Sequence, residues 1–402
     1  MRLETCIRKS LRLKAHRVRE VREEEGRLVA EVERIGGRWL RCGRCGLPSR
    51  TVHSRQRERE WRDLTVREQV LVLHYAPVRV VCRGCGVKVE RVPWAAPWQR
   101  ITRALSLALA RLARELSWKR VAAHYGVDWK TVLAAVRSAV VRGLAQRRWK
   151  ALHVIGIDEV SRSKGHRYLT LVYDLERRRL VWVGENRDAE TMVRFFTWLG
   201  QRRANGIQVV CCDMWAPYLG AIESYLPQAK VVFDRFHVVQ HLNRALDDVR
   251  RRTWRRLPDA QKSAFKRTRW LWLKNPWNLE PGERRRLSAL CRRNMPIVRA
   301  YLLKEGFQGF WEHRHPIDAA LYLRHWLRAA KRSRLEPFNR FARMIEAHLE
   351  GLLTWTALRV SNGALEGMNN RIKLVSHRAF GFRRPTTYIT AIWHSCGGLP
   401  LN

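Results

Sequence analysis

From His153 to Asp234 the sequence runs through its segments in an order that few folds accommodate. Three strand-like runs follow one another, HVIGIDEV, YLTLVYDL and RLVWVGEN. Next come a helical stretch (DAETMVRFFTWLGQRR), the apolar strand IQVVCCDM, a short helix and the strand KVVFD. The first three runs are close enough to pair as an antiparallel meander, whereas the last two can join the sheet only through helical crossovers. The expectation is a mixed sheet with helices on its faces. Two acids sit at the ends of apolar strands, Asp158 in HVIGIDEV and Asp213 in VVCCDM. A carboxylate there is costly unless a cation compensates it. Strand alternation groups Asp158 with Val154 and Gly156 and turns Glu159 the other way with Ile157, so either acid could face a ligand.

After Asp234 the chain reads as helical and basic for over a hundred residues, broken at LPD, NPW and EPG, and it ends with SNGALEGMNNRIKLVSHRAFGF. In that last segment Asn362 is the expected cap of a helix carrying Glu366, Asn369, Asn370 and Lys373 along one side, at i, i+3, i+4 and i+7. Such a polar face is usually solvated; beside a sheet edge with two buried aspartates it would form a reactive cleft. Three carboxylates can hold two divalent ions ~4 Å apart, an arrangement suited to phosphodiester exchange, and magnesium matches all-oxygen ligands. The stretch from Asp213 to Glu366 is too long for one crossover, which predicts an α-helical insertion over roughly 240–353. Its tryptophans (Trp254, Trp270, Trp272, Trp277, Trp311, Trp326, Trp355) are expected mostly to pack helices together. The RTRWLWLKNPW run is the exception: Trp270 and Trp272 are candidates to stack on unpaired bases, with Arg269 and Lys274 as phosphate contacts.

Two Cys-x2-Cys pairs stand upstream, Cys42/Cys45 in RCGRCG and Cys82/Cys85 in VCRGCG. The spacing lets both thiolates of a pair reach one tetrahedral ion, and the glycines permit the tight turn. Redox motifs of this kind occur singly beside βαβ patterns; two pairs in basic β-type sequence point to a closed structural zinc site, with His53 as a weaker substitute ligand. The preceding residues alternate polar and apolar around EEEG, the pattern of a hairpin. From Ile101 to Gly143 the period turns helical, with Leu105, Leu109, Leu112 and Leu116 on one side. Within it SWKRVAAHYGVDWKTVLAAVRSAV reads as a helix-turn-helix. Ala122 is small at the crossing, Gly126 sits in the turn, Asp128 caps the second helix and Val132 returns to the core. Lys130, Thr131 and Arg137 are then free to reach phosphates and base edges.

Charge narrows the partner. The 402 residues hold 79 Lys and Arg against 36 Asp and Glu, a formal net charge of +43. That surplus attracts a polyanion, with nucleic acid as the default candidate. Nine cysteines without a recognisable leader make a disulfide framework unexpected. No apolar run approaches a membrane span, so a cytoplasmic protein with no membrane partner is expected.

The cysteine knuckles followed by the helix-turn-helix, together with GIDEVSRSKGHRYLTLVYDL, DMWAPYLGAI, VVFDRFHVVQHLN and SNGALEGMNNRIKLVSHRAFGFRR, resemble bacterial insertion-sequence transposases of the ISL-three type. The resemblance covers nearly the whole chain. It implies a multidomain α/β protein: a ribonuclease-H-like mixed sheet interrupted by the helical insertion and preceded by the zinc-binding β-rich domain and the helix-turn-helix. The implied divisions are 1–97 (zinc), 98–149 (helix-turn-helix), 150–239 (core), 240–353 (insertion) and 354–402 (core). It implies DDE chemistry, in which Asp158, Asp213 and Glu366 bind two Mg2+ (or Mn2+) ions for strand cleavage and transfer. The DRFH run is similar to a motif whose histidine, here His237, lies near the scissile phosphate. The implied partners are double-stranded DNA, as terminal inverted repeats and target, and further copies of the chain in a synaptic dimer or larger assembly near the nucleoid. Lys373, on the Glu366 helix, joins Lys130, Thr131, Arg137, Trp270 and Trp272 as expected DNA contacts. The alternatives are a non-catalytic zinc and helix-turn-helix regulator with a degenerate core, and a ribonuclease-H-like nuclease.

Overall fold

The computed structural model describes residues 3–400 except 164, 166 and 294. The chain forms two compact units. One runs to Arg148 and includes Trp393–Ser395 and the residues from Leu399; the other comprises Trp149–Ile392 and Cys396–Gly398. No helix among the described residues is long and apolar enough to cross a membrane.

The first unit opens with a helix that the sequence reading missed, α1 (Leu3–Ser10), whose only buried side chain is Ile7. β1 (His16–Glu24) and β2 (Arg27–Arg34) then form the expected hairpin, turning at Glu25 and Gly26, both with positive φ. Two short strands follow, β3 (Leu40–Arg41) and β4 (Pro48–Ser49), and then β5 (Val52–Arg55). β6 (Arg59–Val66) and β7 (Gln69–Tyr75) complete a four-stranded sheet of order β1-β2-β7-β6, while β8 (Val78–Cys82) and β9 (Gly86–Val89) pair with β5. Alternation sends Ala30, Val32, Trp61, Leu71, Leu73 and Tyr75 into one core with Trp94. Three helices end the unit: α2 (Arg103–Leu112), α3 (Trp118–Tyr125) and α4 (Trp129–Gln146).

The second unit is built on β10 (Val154–Ser163), β11 (Arg167–Asp174), β12 (Arg179–Glu185), β13 (Val209–Cys212) and β14 (Lys230–Phe233). Their order is β12-β11-β10-β13-β14, antiparallel through the first three and parallel from β10 to β14. This is the mixed sheet expected from the strand spacing. Between β12 and β13 lie α5 (Ala189–Leu199) and α6 (Gln201–Ala204), and between β13 and β14 lies α7 (Ala216–Tyr225). Met192, Phe195, Phe196, Tyr218 and Ile222 from these helices bury one sheet face.

After β14 the chain is helical: α8 (Arg235–Arg256), α9 (Asp259–Phe265), α10 (Arg269–Leu273), α11 (Pro281–Cys291), α12 (Pro296–Gln308), α13 (Pro316–Arg332), α14 (Glu336–Ala347) and α15 (Leu349–Leu358). They close on a core rich in aromatic rings, where Phe307 meets Trp326 and Phe341 edge-on and Trp311 meets Trp355 edge-on. Trp272 belongs to that core at 0% exposure, packed against Tyr301, while Trp270 is 60% exposed. Full burial removes Trp272 as a stacking platform, which corrects the expectation from sequence.

The chain then returns to the sheet through α16 (Glu366–Arg378) and α17 (Pro385–Cys396). The Asn362 amide does not cap α16; Ser361 supplies a side-chain oxygen to Gly363 N–H at this turn, and Asn362 Nδ2 donates to the Ile157 carbonyl of β10 at 3.1 Å. Gly156 makes this approach possible, because a Cβ there would collide with the Asn362 amide oxygen and the Leu175 side chain. Gly156→Ala is therefore expected to destabilise the second unit by about 1–3 kcal/mol, as overpacking does. Thermal denaturation showing an unshifted midpoint would contradict this contact.

Candidate active site and metal centre

Pairing register aligns three acids along one sheet edge. Gly156 lies opposite Cys211, and Cys212 opposite Phe233. Asp158, in the middle of β10, therefore falls in one row with Asp213 and Asp234, which directly follow β13 and β14. His237, in the first turn of α8, stands between the first two: Nε2 is 3.9 Å from Asp158 Oδ1 and Nδ1 is 3.8 Å from Asp213 Oδ2. Burial opposes a charged imidazole there, yet the carboxylates of Asp158, Asp213 and Asp234 outweigh it and push the His237 pKa up to about 9. Asp234, 5% exposed, is itself raised, first by burial and then by the Asp158 charge. Oxygen donors beside an imidazole are the donor chemistry of a hard divalent ion, although among the described residues no three of these groups bring ligand atoms within 4.8 Å of one another.

Asp158 and Asp213 are each fixed by short hydrogen bonds. Asp158 Oδ1 accepts the Glu159 N–H at 2.7 Å, and Oδ2 accepts Asn369 Nδ2 at 2.5 Å. Asp213 Oδ1 accepts the Met214 N–H at 2.7 Å. Asn369 is buried, and its Oδ1 accepts the Tyr173 hydroxyl at 2.6 Å. The polar stripe on α16 is thus divided. Asn369 turns to the sheet while Glu366, Asn370 and Lys373 are exposed. Among the described residues, Glu366 does not join Asp158 and Asp213 in a set of ligand atoms within 4.8 Å.

Glu159 faces the opposite side of β10. It pairs with Arg187 at 3.2 Å, and the Arg187 guanidinium lies over the rings of Trp215 (4.3 Å) and Tyr168 (4.8 Å). Burial raises the Glu159 pKa against the pull of Arg187. Strand alternation alone leaves Asp158 and Glu159 equivalent and the resemblance implies Asp158; in the structure Asp158 is the one beside His237. Sequence reasoning missed Asn369 as a bridge and Arg187 as a counter-ion, and it overlooked His241, one turn beyond His237, and His348, whose titration also senses Asp213. The His-x3-His spacing on α8 was the available signal for His241.

In the first unit, one sulfur from each of Cys42, Cys45, Cys82 and Cys85 lies within 4.8 Å of the others, a set compatible with zinc. Cys45 and Cys82 sulfurs approach to 3.4 Å. Cys42 is shifted down to about 7: burial opposes the thiolate, but the backbone N–H groups of Cys45 and Arg44 more than offset it. Gly46 and Gly86 supply the positive φ that each knuckle turn requires (78° and 68°). His53 is exposed, bonded to Ser54, and outside the set.

The helix pair matches its sequence pattern closely. Ser117 accepts from Arg120 N–H, Gly126 ends α3 at φ 57°, and Asp128 caps α4. Arg62 of β6 braces the turn, donating to Tyr125 O at 2.5 Å and Gly126 O at 2.6 Å. On α4, Lys130 and Arg137 are exposed and Thr131 is half-buried.

Residues 155–392 match a family described as a transposase, and residues 90–140 match the helix-turn-helix domain of transposase family ISL3. The chain belongs to the ISL3 family of transposases. It is 31% identical over 365 residues to the transposase for insertion sequence element IS1001 of Bordetella parapertussis, covering 90% of each chain. It is also 31% identical over 392 residues to the transposase for insertion sequence element IS1557 of Mycobacterium tuberculosis, covering 90% of this chain and 87% of the other. The span matched to the ISL3 transposase family contains Asp158, Asp213, His237 and Glu366, and the helix-turn-helix match contains α2, α3 and most of α4.

For this ISL3 member, Cys42→Ser is expected to remove about one zinc per chain and to lower the melting temperature, since structural zinc contributes folding energy outright. Elemental analysis finding equal zinc in variant and parent would rule out the four-cysteine site.

Proposed function

We propose that this transposase binds the terminal inverted repeats of its own insertion sequence and cuts and joins DNA at the carboxylate row. Its core is read as ribonuclease-H-like, with Asp158, Asp213 and Glu366 as ligands of two Mg2+ or Mn2+ ions. The observation that carries this reading is the convergence of Asp158 and Asp213 on His237. The sheet order β12-β11-β10-β13-β14, with Asp158 within β10 and Asp213 directly after the neighbouring parallel strand β13, supports the assignment of the core. Bound divalent ions would activate the attacking oxygen and stabilise the departing one.

The protein's own groups prepare that site. Asn369 and the Glu159 and Met214 N–H groups orient the two aspartates while leaving oxygen lone pairs unused. His237, between the two aspartates, presents an imidazole N–H to a phosphate entering there. Glu366 stands one turn before Asn369, the residue that pins α16 to Asp158, and in this reading it completes the ligand set. Residues 1–97 and 98–149 read the element end, and 150–239 with 354–402 form the core around the 240–353 insertion. Lys130, Thr131 and Arg137 contact the duplex from α4, Lys373 contacts it from α16, and Trp270 is the exposed ring of α10 that remains available for DNA. Joining two ends calls for a homodimer or larger assembly, acting in the cytoplasm on nucleoid DNA.

Asp213→Ala is expected to abolish Mg2+-dependent nicking of a terminal-repeat oligonucleotide and to leave its binding intact. Nicking that survives the substitution would overturn the catalytic assignment. Lys130→Ala should instead weaken repeat binding and reduce the slope of log affinity against log salt by about 1, the signature of one lost phosphate contact. An unchanged slope in a fluorescence-anisotropy salt titration would remove Lys130 from the interface.

A further inference from the structure

We propose that a cavity at the far end of α8 is a second nucleic-acid site, which receives an unpaired nucleotide of a DNA strand. The cavity measures about 310 Å3 and is lined by Arg251, Arg255, Lys266 and Arg267 around the rings of Trp254 and Phe265, with Arg250 beside them. No carboxylate lines it among the described residues. Asp247 lies outside the lining and receives Arg250 at 2.7 Å, Arg251 at 3.0 Å and Arg269 at 3.4 Å. Burial works against the Asp247 charge, but the arginines hold its pKa below the ordinary range. One carboxylate shared among three guanidiniums leaves the cavity strongly positive, and Arg255, Lys266 and Arg267 have no ion-pair partner among the described residues.

The cavity is pre-formed. Arg267 is held in the left-handed region at φ 61°. On either side, Arg286 donates to the Lys266 carbonyl at 2.7 Å and Thr268 Oγ1 donates to the Phe265 carbonyl at 2.8 Å. Thr268 is buried and Phe265 belongs to the insertion core, so the loop has little freedom to collapse.

Its shape selects the ligand. Duplex backbone needs only an open cationic face. Here the cations share the lining with the half-buried ring of Trp254, in a space at the small end of ligand pockets, which run roughly 300–1,000 Å3. An anion joined to a planar ring satisfies both features, and base stacking on aromatic side chains inside a cationic groove is how unpaired strands are held. Helix α8 is continuous for 22 residues from Arg235 to Arg256. At ~1.5 Å per residue Trp254 lies about 26 Å along the axis from His237. A strand held at both ends would span about eight nucleotides at ~3.4 Å each in duplex form, and fewer if stretched.

That the ligand is DNA rests on the transposase reading; the site itself does not. The test uses the full chain and fluorescence anisotropy with two probes, a labelled oligothymidylate and a duplex carrying the element's end. Arg255→Ala/Arg267→Ala, both on the surface, should weaken oligothymidylate binding about tenfold and lower its salt slope by about 1.4, with duplex binding unchanged. Trp254→Phe should keep the single-strand affinity that Trp254→Ala loses. Unchanged oligothymidylate affinity in the double arginine variant, or an equal fall for both probes, would overturn the proposal. A parent protein that binds the oligonucleotide through this cavity yet never nicks DNA would refute the catalytic reading and leave this site standing.

Discussion

Three carboxylates in register across adjacent parallel strands are a liability that the rest of the second unit is arranged to contain. Burial and the Asp158 charge both raise the Asp234 pKa. His237 lies among the three carboxylates, 3.9 Å and 3.8 Å from two of them, and together they push its pKa up to about 9. The same reasoning explains why the row faces away from the hydrophobic side of the sheet. Phe195, Phe196 and Met192 fill the opposite face, while the acids open towards the polar side of α16 and the start of α8.

Asp158 and Asp213 are legible in the sequence because short apolar strands announce themselves and an acid in or just after one is conspicuous, whereas His237 comes only from the resemblance of its DRFH run. The four cysteines were legible for a similar reason, since their spacing is itself the geometry of a tetrahedral site. The turn residues Ser117, Gly126 and Asp128 gave away the helix pair through local chemistry alone. What could not be read was which side of a helix meets what. Trp270 and Trp272 stand two residues apart and so point to nearly opposite sides of α10; one is exposed and the other joins the core. Asn362 has the composition of a cap, but a glycine distant in sequence, Gly156, makes room for it to bond a strand instead. α1 escaped notice because a single buried residue carries almost no periodicity.

The net charge of +43 also hides a division of labour that composition cannot show. Acids are few, and several are placed where they position cations rather than cancel them. Glu159 holds Arg187 against Trp215 and Tyr168, and Asp247 gathers Arg250, Arg251 and Arg269. In both cases an acidic side chain fixes guanidinium groups in place, so less freedom is lost when an anion arrives.

Asn369 shows why a neutral residue is needed at the centre of so charged a place. The Tyr173 hydroxyl donates to its oxygen, which obliges the amide nitrogen to face Asp158. A carboxylate at that position would accept from Tyr173 equally well but would add a further negative charge against Asp158. A leucine of similar size would leave the buried tyrosine hydroxyl without an acceptor, costing about 1–3 kcal/mol. Only an amide can donate to the aspartate and accept from the tyrosine at once, tying α16 to β10 without adding charge. The helix that carries Glu366 is therefore tethered to the carboxylate row one turn away from it, so that Asn369 sets the position from which Glu366 must act.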